Sequence, residues 1–98
     1  MIVKILRNDK GSLPGYLADA EVHFTDGPLE GLKLTGFTVW QRKTGTGRNV
    51  TFPARQYSMN GDRRSFSLLR PILSDSTAPT KLRDLILEAY DEHVAAVA

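Results

Sequence analysis

Turn-forming residues recur at short intervals along the first two-thirds of this chain, and that punctuation limits what it can fold into. The clusters are NDKGSLPG (8–15), TDGPLEG (25–31), KTGTG (43–47) and NGD (60–62), all rich in residues that adopt turn dihedrals at low cost. Between them lie short runs of β type. MIVKILR is expected as a first strand and YLADAEVHF as a second, with Ala20, Val22 and Phe24 alternating against Glu21 and His23, the pattern of a half-buried strand. In the third run, LKLTGFTVWQ, Leu32 and Leu34 share one parity and Phe37 and Val39 the other. The apolar face therefore changes side near Gly36, where a β-bulge or bend is expected.

The fourth run, RNVTFPARQY, sets Val50, Phe52 and Ala54 on one face, and the fifth, RSFSLLRPIL, does the same with Phe66, Leu68 and Ile72. Pro53 cannot donate to a ladder, so its strand is an edge there or bulges away from its neighbour. From Pro79 the period changes. Leu82, Leu85, Ile86, Ala89, Tyr90, His93, Val94 and Val97 recur every three or four residues, the stripe of an amphipathic helix. Its start falls within SDSTAPT, where Thr77 or Ala78 precedes Pro79 in the first turn. The expected fold is α+β: an antiparallel β-meander of about five strands with one C-terminal amphipathic helix packed on one face. A chain of 98 residues has surface enough for one core, so residues 1–98 are read as a single domain.

Cysteine is absent, which removes disulfides and thiolate chemistry and fits a reducing compartment. MIVKILRNDKG has too few apolar residues before Arg7 for a signal-peptide core, and no run of about 18 apolar residues occurs. A cytoplasmic location is expected, with no membrane contact.

The net charge of +2 hides an uneven distribution. Residues 1–39 hold four Lys/Arg and five Asp/Glu, residues 40–83 hold nine and two, and residues 84–98 hold none and four. The middle segment thus carries +7, which points to a basic surface facing an acidic partner, nucleic acid first among them; basic residues that merely solvate exposed strands are the plainer alternative. The candidates are Arg42, Lys43, Arg48, Arg55, Arg63, Arg64 and Arg70, with Lys81 and Arg83 near the helix start. If Val50, Phe52 and Ala54 face the core, then Asn49, Thr51, Pro53 and Arg55 face away from it. Parity also sends Trp40, Arg42, Arg63, Ser65 and Ser67 outward. One sheet face would then gather Trp40, Arg42, Arg55 and Arg63 among hydroxyls, a surface suited to phosphates. Trp40 either stacks on an exposed base or packs in a core or dimer seam. Lys81 and Arg83 stand where the helix dipole disfavours cations; they either meet an anion at the helix N-terminus or are solvated, with Lys81 partly paired to Asp84.

The sequence GRNVTFPAR, followed after the Asn-Gly-Asp turn by RRSFSLLRPI and then KLRDLILEAY, resembles the signature half of the stage V sporulation protein G (SpoVG) family. The matching positions are Gly47, Val50, Phe52, Pro53, Ala54, Arg55, Phe66, Pro71, Ile72, Leu85, Glu88 and Tyr90, between about residues 32 and 92. The resemblance implies a homodimeric, cytoplasmic nucleic-acid-binding regulator, of a kind first met in sporulation and septation, and it marks Arg55 as the basic member of a proline-small-basic triplet.

Catalytic patterns are missing. His23 and His93 are far apart in the sequence, and no carboxylate cluster has metal-ligand spacing. GTGRN opens a strand and not a helix, so it is a hairpin turn and not a nucleotide loop. No enzyme activity, metal, cofactor or small-molecule substrate is expected. The chain is read as a homodimer binding DNA or RNA through its basic face and helix start; the alternative is a protein-interaction module that meets an acidic partner or accepts a partner strand at a free edge.

Overall fold

A computed structural model of the chain describes residues 1–7, 14–43, 47–74 and 76–97. The fold is α+β with antiparallel strands and a C-terminal helix. Strands β1 (Ile2–Arg7), β2 (Tyr16–His23), β3 (Lys33–Gln41) and β4 (Arg48–Thr51) form one sheet in chain order, the meander that the turn spacing predicts. Strands β5 (Ala54–Met59) and β6 (Asp62–Ser67) form a separate two-stranded sheet, and helix α1 (Ala78–Val97) packs against β1 and β4. The turns expected at 8–15 and 43–47 fall largely outside the described residues.

Alternation places Ala18, Ala20 and Val22 of β2, Phe37 and Val39 of β3 and Val50 of β4 on one sheet face, and all are buried. Their register brings Val3 opposite Val22, Ala20 opposite Phe37 and Val39 opposite Val50. Ile86 enters this layer from α1 and is fully buried, with Leu82 and Tyr90 beside it. Leu85 and Val94, expected in the same stripe, are exposed: the apolar arc of the helix is wider than the sheet beneath it. The Ser76 hydroxyl accepts the Ala78 N–H at 3.1 Å, which begins the helix where the sequence places its start.

The bulge expected near Gly36 is present. Val22 pairs with Leu34 while Ala20 pairs with Phe37, so one strand spends three residues where its neighbour spends two. Gly36 has φ +104°, and a Cβ there would stand 2.9 Å from the Cβ of Pro53. That contact redirects the chain. The β3–β4 ladder ends at the Thr38–Thr51 pair, Phe52 turns its ring edge-on to Phe37 at 5.4 Å, and Pro53 is buried. Pro53 therefore does not face outward with Asn49 and Thr51, because strand parity stops at the break.

Beyond Pro53 the chain starts a new hairpin, pinned where Leu68 donates its N–H to the Pro53 carbonyl at 2.9 Å. Its loop is Asn60 at φ 53° and Gly61 at φ 83°, the two positive values of a tight turn matched to strand twist. Ala54, Phe66, Leu68 and Ile72 were expected on the core face but are exposed, Ile72 completely. The reason is the same break: β5 and β6 pair with each other and not with the four-stranded sheet.

Gly36→Ala is expected to cost at least about 2 kcal/mol, since it combines an unfavourable φ with a clash against a buried ring. Thermal unfolding should shift down by about 10 °C or more.

Candidate nucleic-acid interface

The sheet face opposite the helix carries the Thr38–Thr51 and Trp40–Asn49 pairs, because Val39 and Val50 point the other way into the core. Trp40 is half-buried. Tyr16, its partner on β2, meets it edge to face at 5.2 Å, and the indole N–H donates to the Thr51 hydroxyl at 3.0 Å. The Tyr16 hydroxyl donates to Asp19, which raises its pKa above the usual 10.0, with desolvation adding to the effect. These contacts fix the indole as a wall. Past the end of β3, the Arg42 N–H and the Gln41 side-chain amide both donate to the Gly47 carbonyl, at 3.1 and 3.0 Å. The closure leaves Arg42 and Lys43 exposed beside Trp40. An open groove results, lined by Pro14, Gly15, Trp40, Gln41, Arg42, Lys43 and Asn49. It offers an aromatic surface for a base, two cations for phosphates and amide groups for base edges.

Trp40, Arg42, Arg55 and Arg63 do not share one face, and this corrects the expectation from parity. Arg55 sits opposite Phe66 and Tyr57 opposite Arg64 on one side of the hairpin, while Arg63 pairs with Ser58 on the other. Extending the parity of β4 through Pro53 was the error. Tyr57 and Phe66, whose rings meet at 5.8 Å, lie on the arginine side and were missed. The signal for Tyr57 was present, since it has the parity of Arg55, but Phe66 had been assigned to the core.

The remaining basic candidates scatter. Arg48 turns toward the helix, where its guanidinium pairs with Asp91 and lies 5.0 Å from the Tyr90 ring centre. Asp91 near the helix C-terminus, unfavourable for the dipole, thereby has a partner on β4. Arg70 is exposed at the rim of a small apolar cavity. Lys81 is exposed. Arg83, and not Lys81, approaches Asp84, at 3.6 Å, and its Nε is buried without a partner among the described residues. The helix start lies on the covered side of the sheet, so the structure does not join it to the Trp40 groove.

The outer face is divided by charge. Away from the groove, the nearly buried Glu21 accepts from His23 Nε2 at 3.0 Å and ion-pairs with Lys33 at 3.2 Å. The His23 hydrogen bond, followed by Lys33, holds the Glu21 carboxyl below its usual 4.5 against the opposing effect of burial. Among the described residues no His, Cys, Asp and Glu cluster could hold a metal ion, and no helix is long and apolar enough to cross a membrane. No protein-family model, curated protein or solved structure matches the chain.

Glu21 has its pKa depressed on folding, so its contribution is present above the unfolded value and is lost as pH falls through the folded one. Urea midpoints measured at decreasing pH should drop below about pH 4.5, and Glu21→Gln should flatten that part of the profile. Arg48→Ala should destabilise the fold by about 1 kcal/mol through loss of the ion pair and ring contact, read by chemical denaturation, and leave nucleic-acid affinity unchanged.

Proposed function

We propose that the chain is a SpoVG-like, cytoplasmic, homodimeric regulator that binds nucleic acid in the Trp40 groove, its exposed bases stacking on the indole and its phosphates held by Arg42 and Lys43. The observation that carries this reading is a fixed, half-exposed Trp40 beside two exposed cations that have no ion-pair partner among the described residues, on the face that the helix leaves open. Aromatic stacking favours unpaired bases, which every sequence can present; duplexes would engage mainly through phosphates. Arg55 is exposed on the hairpin, in a separate sheet from the groove, and supplies a further phosphate contact in this reading. The outer edge of β1, which pairs with no other strand among the described residues, supports a second reading, a module that accepts a partner strand.

Trp40 is the single tryptophan, so its emission reports directly on the groove. Titration with short single-stranded DNA and RNA should quench it, and Arg42→Ala should lower the salt slope by about 0.7 with a similar loss of affinity across sequences. Arg55→Ala should lower it by a comparable amount without unfolding. Binding without quenching would remove Trp40 from the site; no binding at low salt would favour the strand-accepting module.

A further inference from the structure

Strand β1 and helix α1 bound an open groove that the Trp40 surface does not include. It has a volume of about 320 Å³ and is lined by Met1, Val3, Leu85 and Ala89 together with Glu88 and Glu92. Leu85 belongs to the apolar stripe of the helix yet is 45% exposed, because among the described residues the sheet ends at β1. Val3, on the core face opposite Val22, is only half-buried for the same reason.

Backbone, apolar surface and charge at this margin each restrict what fills it. No described strand pairs with the outer edge of β1, so an extended segment continues its ladder where a helix would not. A strand laid there turns every second side chain toward α1, and those side chains meet Val3, Leu85 and Ala89. Glu88 and Glu92 are exposed, stand four residues apart on one helix face, where like charges repel, and have no ion-pair partner among the described residues. Residues 84–98 hold no lysine or arginine, so a cation that relieves the pair comes from outside this part of the helix. Lys4 lies on the other sheet face, across from Glu21, and does not line the groove. We propose that the margin between β1 and α1 docks an extended basic segment of a partner protein as an added strand, its apolar side chain over Val3, Leu85 and Ala89 and its neighbouring helix-facing lysines or arginines against Glu88 and Glu92. The proposal rests on the strand-accepting reading of the β1 edge, to which it adds the chemistry of the strand, and it is independent of the Trp40 groove.

The probe is a fluorescein-labelled peptide with threonine at alternate positions and lysine, valine and lysine between them; a control peptide carries glutamate in place of each lysine. The lysine peptide should bind the wild type and slow hydrogen exchange at the β1 amides that β2 leaves unbonded, while the glutamate peptide should bind roughly 10-fold more weakly or worse. Combining Glu88→Lys with Glu92→Lys should reverse that preference and leave the far-UV circular dichroism spectrum unchanged, since both side chains are exposed. Arg42→Ala should bind the lysine peptide as the wild type does. The same preference in wild type and double variant, binding without protection of β1, or no binding of the lysine peptide would overturn the docking site. Protection of β1 that grows with protein concentration in the absence of peptide would give the edge to a second copy and overturn it as well. Quenching of Trp40 by single strands, read on the same samples, decides the nucleic-acid reading separately.

Discussion

The contact between Pro53 and Gly36 decides the shape of this protein. Gly36 can take φ +104° and offers no Cβ, so the proline ring fills the space that a side chain would occupy. The extra residue of the bulge moves the apolar parity of β3 from Leu34 to Phe37 and so keeps one continuous core face. At the same place the fourth strand loses its ladder, Phe52 drops onto Phe37, and the chain departs as a separate hairpin. Core continuity and the projecting hairpin are thus two results of one steric fit.

The four-stranded sheet serves two chemistries on its two faces. Toward the helix it is apolar, closed by Ile86 and clamped at one corner by Arg48, Asp91 and Tyr90. Away from the helix it is polar, with an acidic, internally paired end at Glu21 and a basic, aromatic end at Trp40. The pairing at Glu21 matters for the proposed binding surface, because Lys33 offsets, and His23 hydrogen-bonds, a carboxylate that would otherwise repel phosphate along the same face.

Much of this was legible in the residues. The strand runs, the bulge, the helix and its start all follow from period and turn chemistry that act locally. Trp40 and Arg42 could be placed outward because their parity is anchored by Phe37 and Val39, which are core residues next to them in the chain. What could not be read was the fate of parity beyond Pro53. A proline marks a break in hydrogen bonding, yet the direction of the chain after it depends on the non-local contact with Gly36, seventeen residues earlier. Arg48 was likewise assigned to the wrong surroundings by composition alone, since its partners Asp91 and Tyr90 lie more than forty residues away.

Strand β1 closes the sheet on one side, with no strand among the described residues paired to its outer edge, and Ile2 and Leu6 on its open face are exposed. Such a strand invites uncontrolled growth by addition of further copies. Lys4 stands between those two residues on the same face. When two β1 strands meet antiparallel in the register that sets Ile2 across from Leu6, the two Lys4 ammonium groups are brought directly across from each other, an arrangement that repels. A single lysine thus discourages fibrous stacking along this margin, while leaving it open to a strand of different sequence that brings a carboxylate opposite.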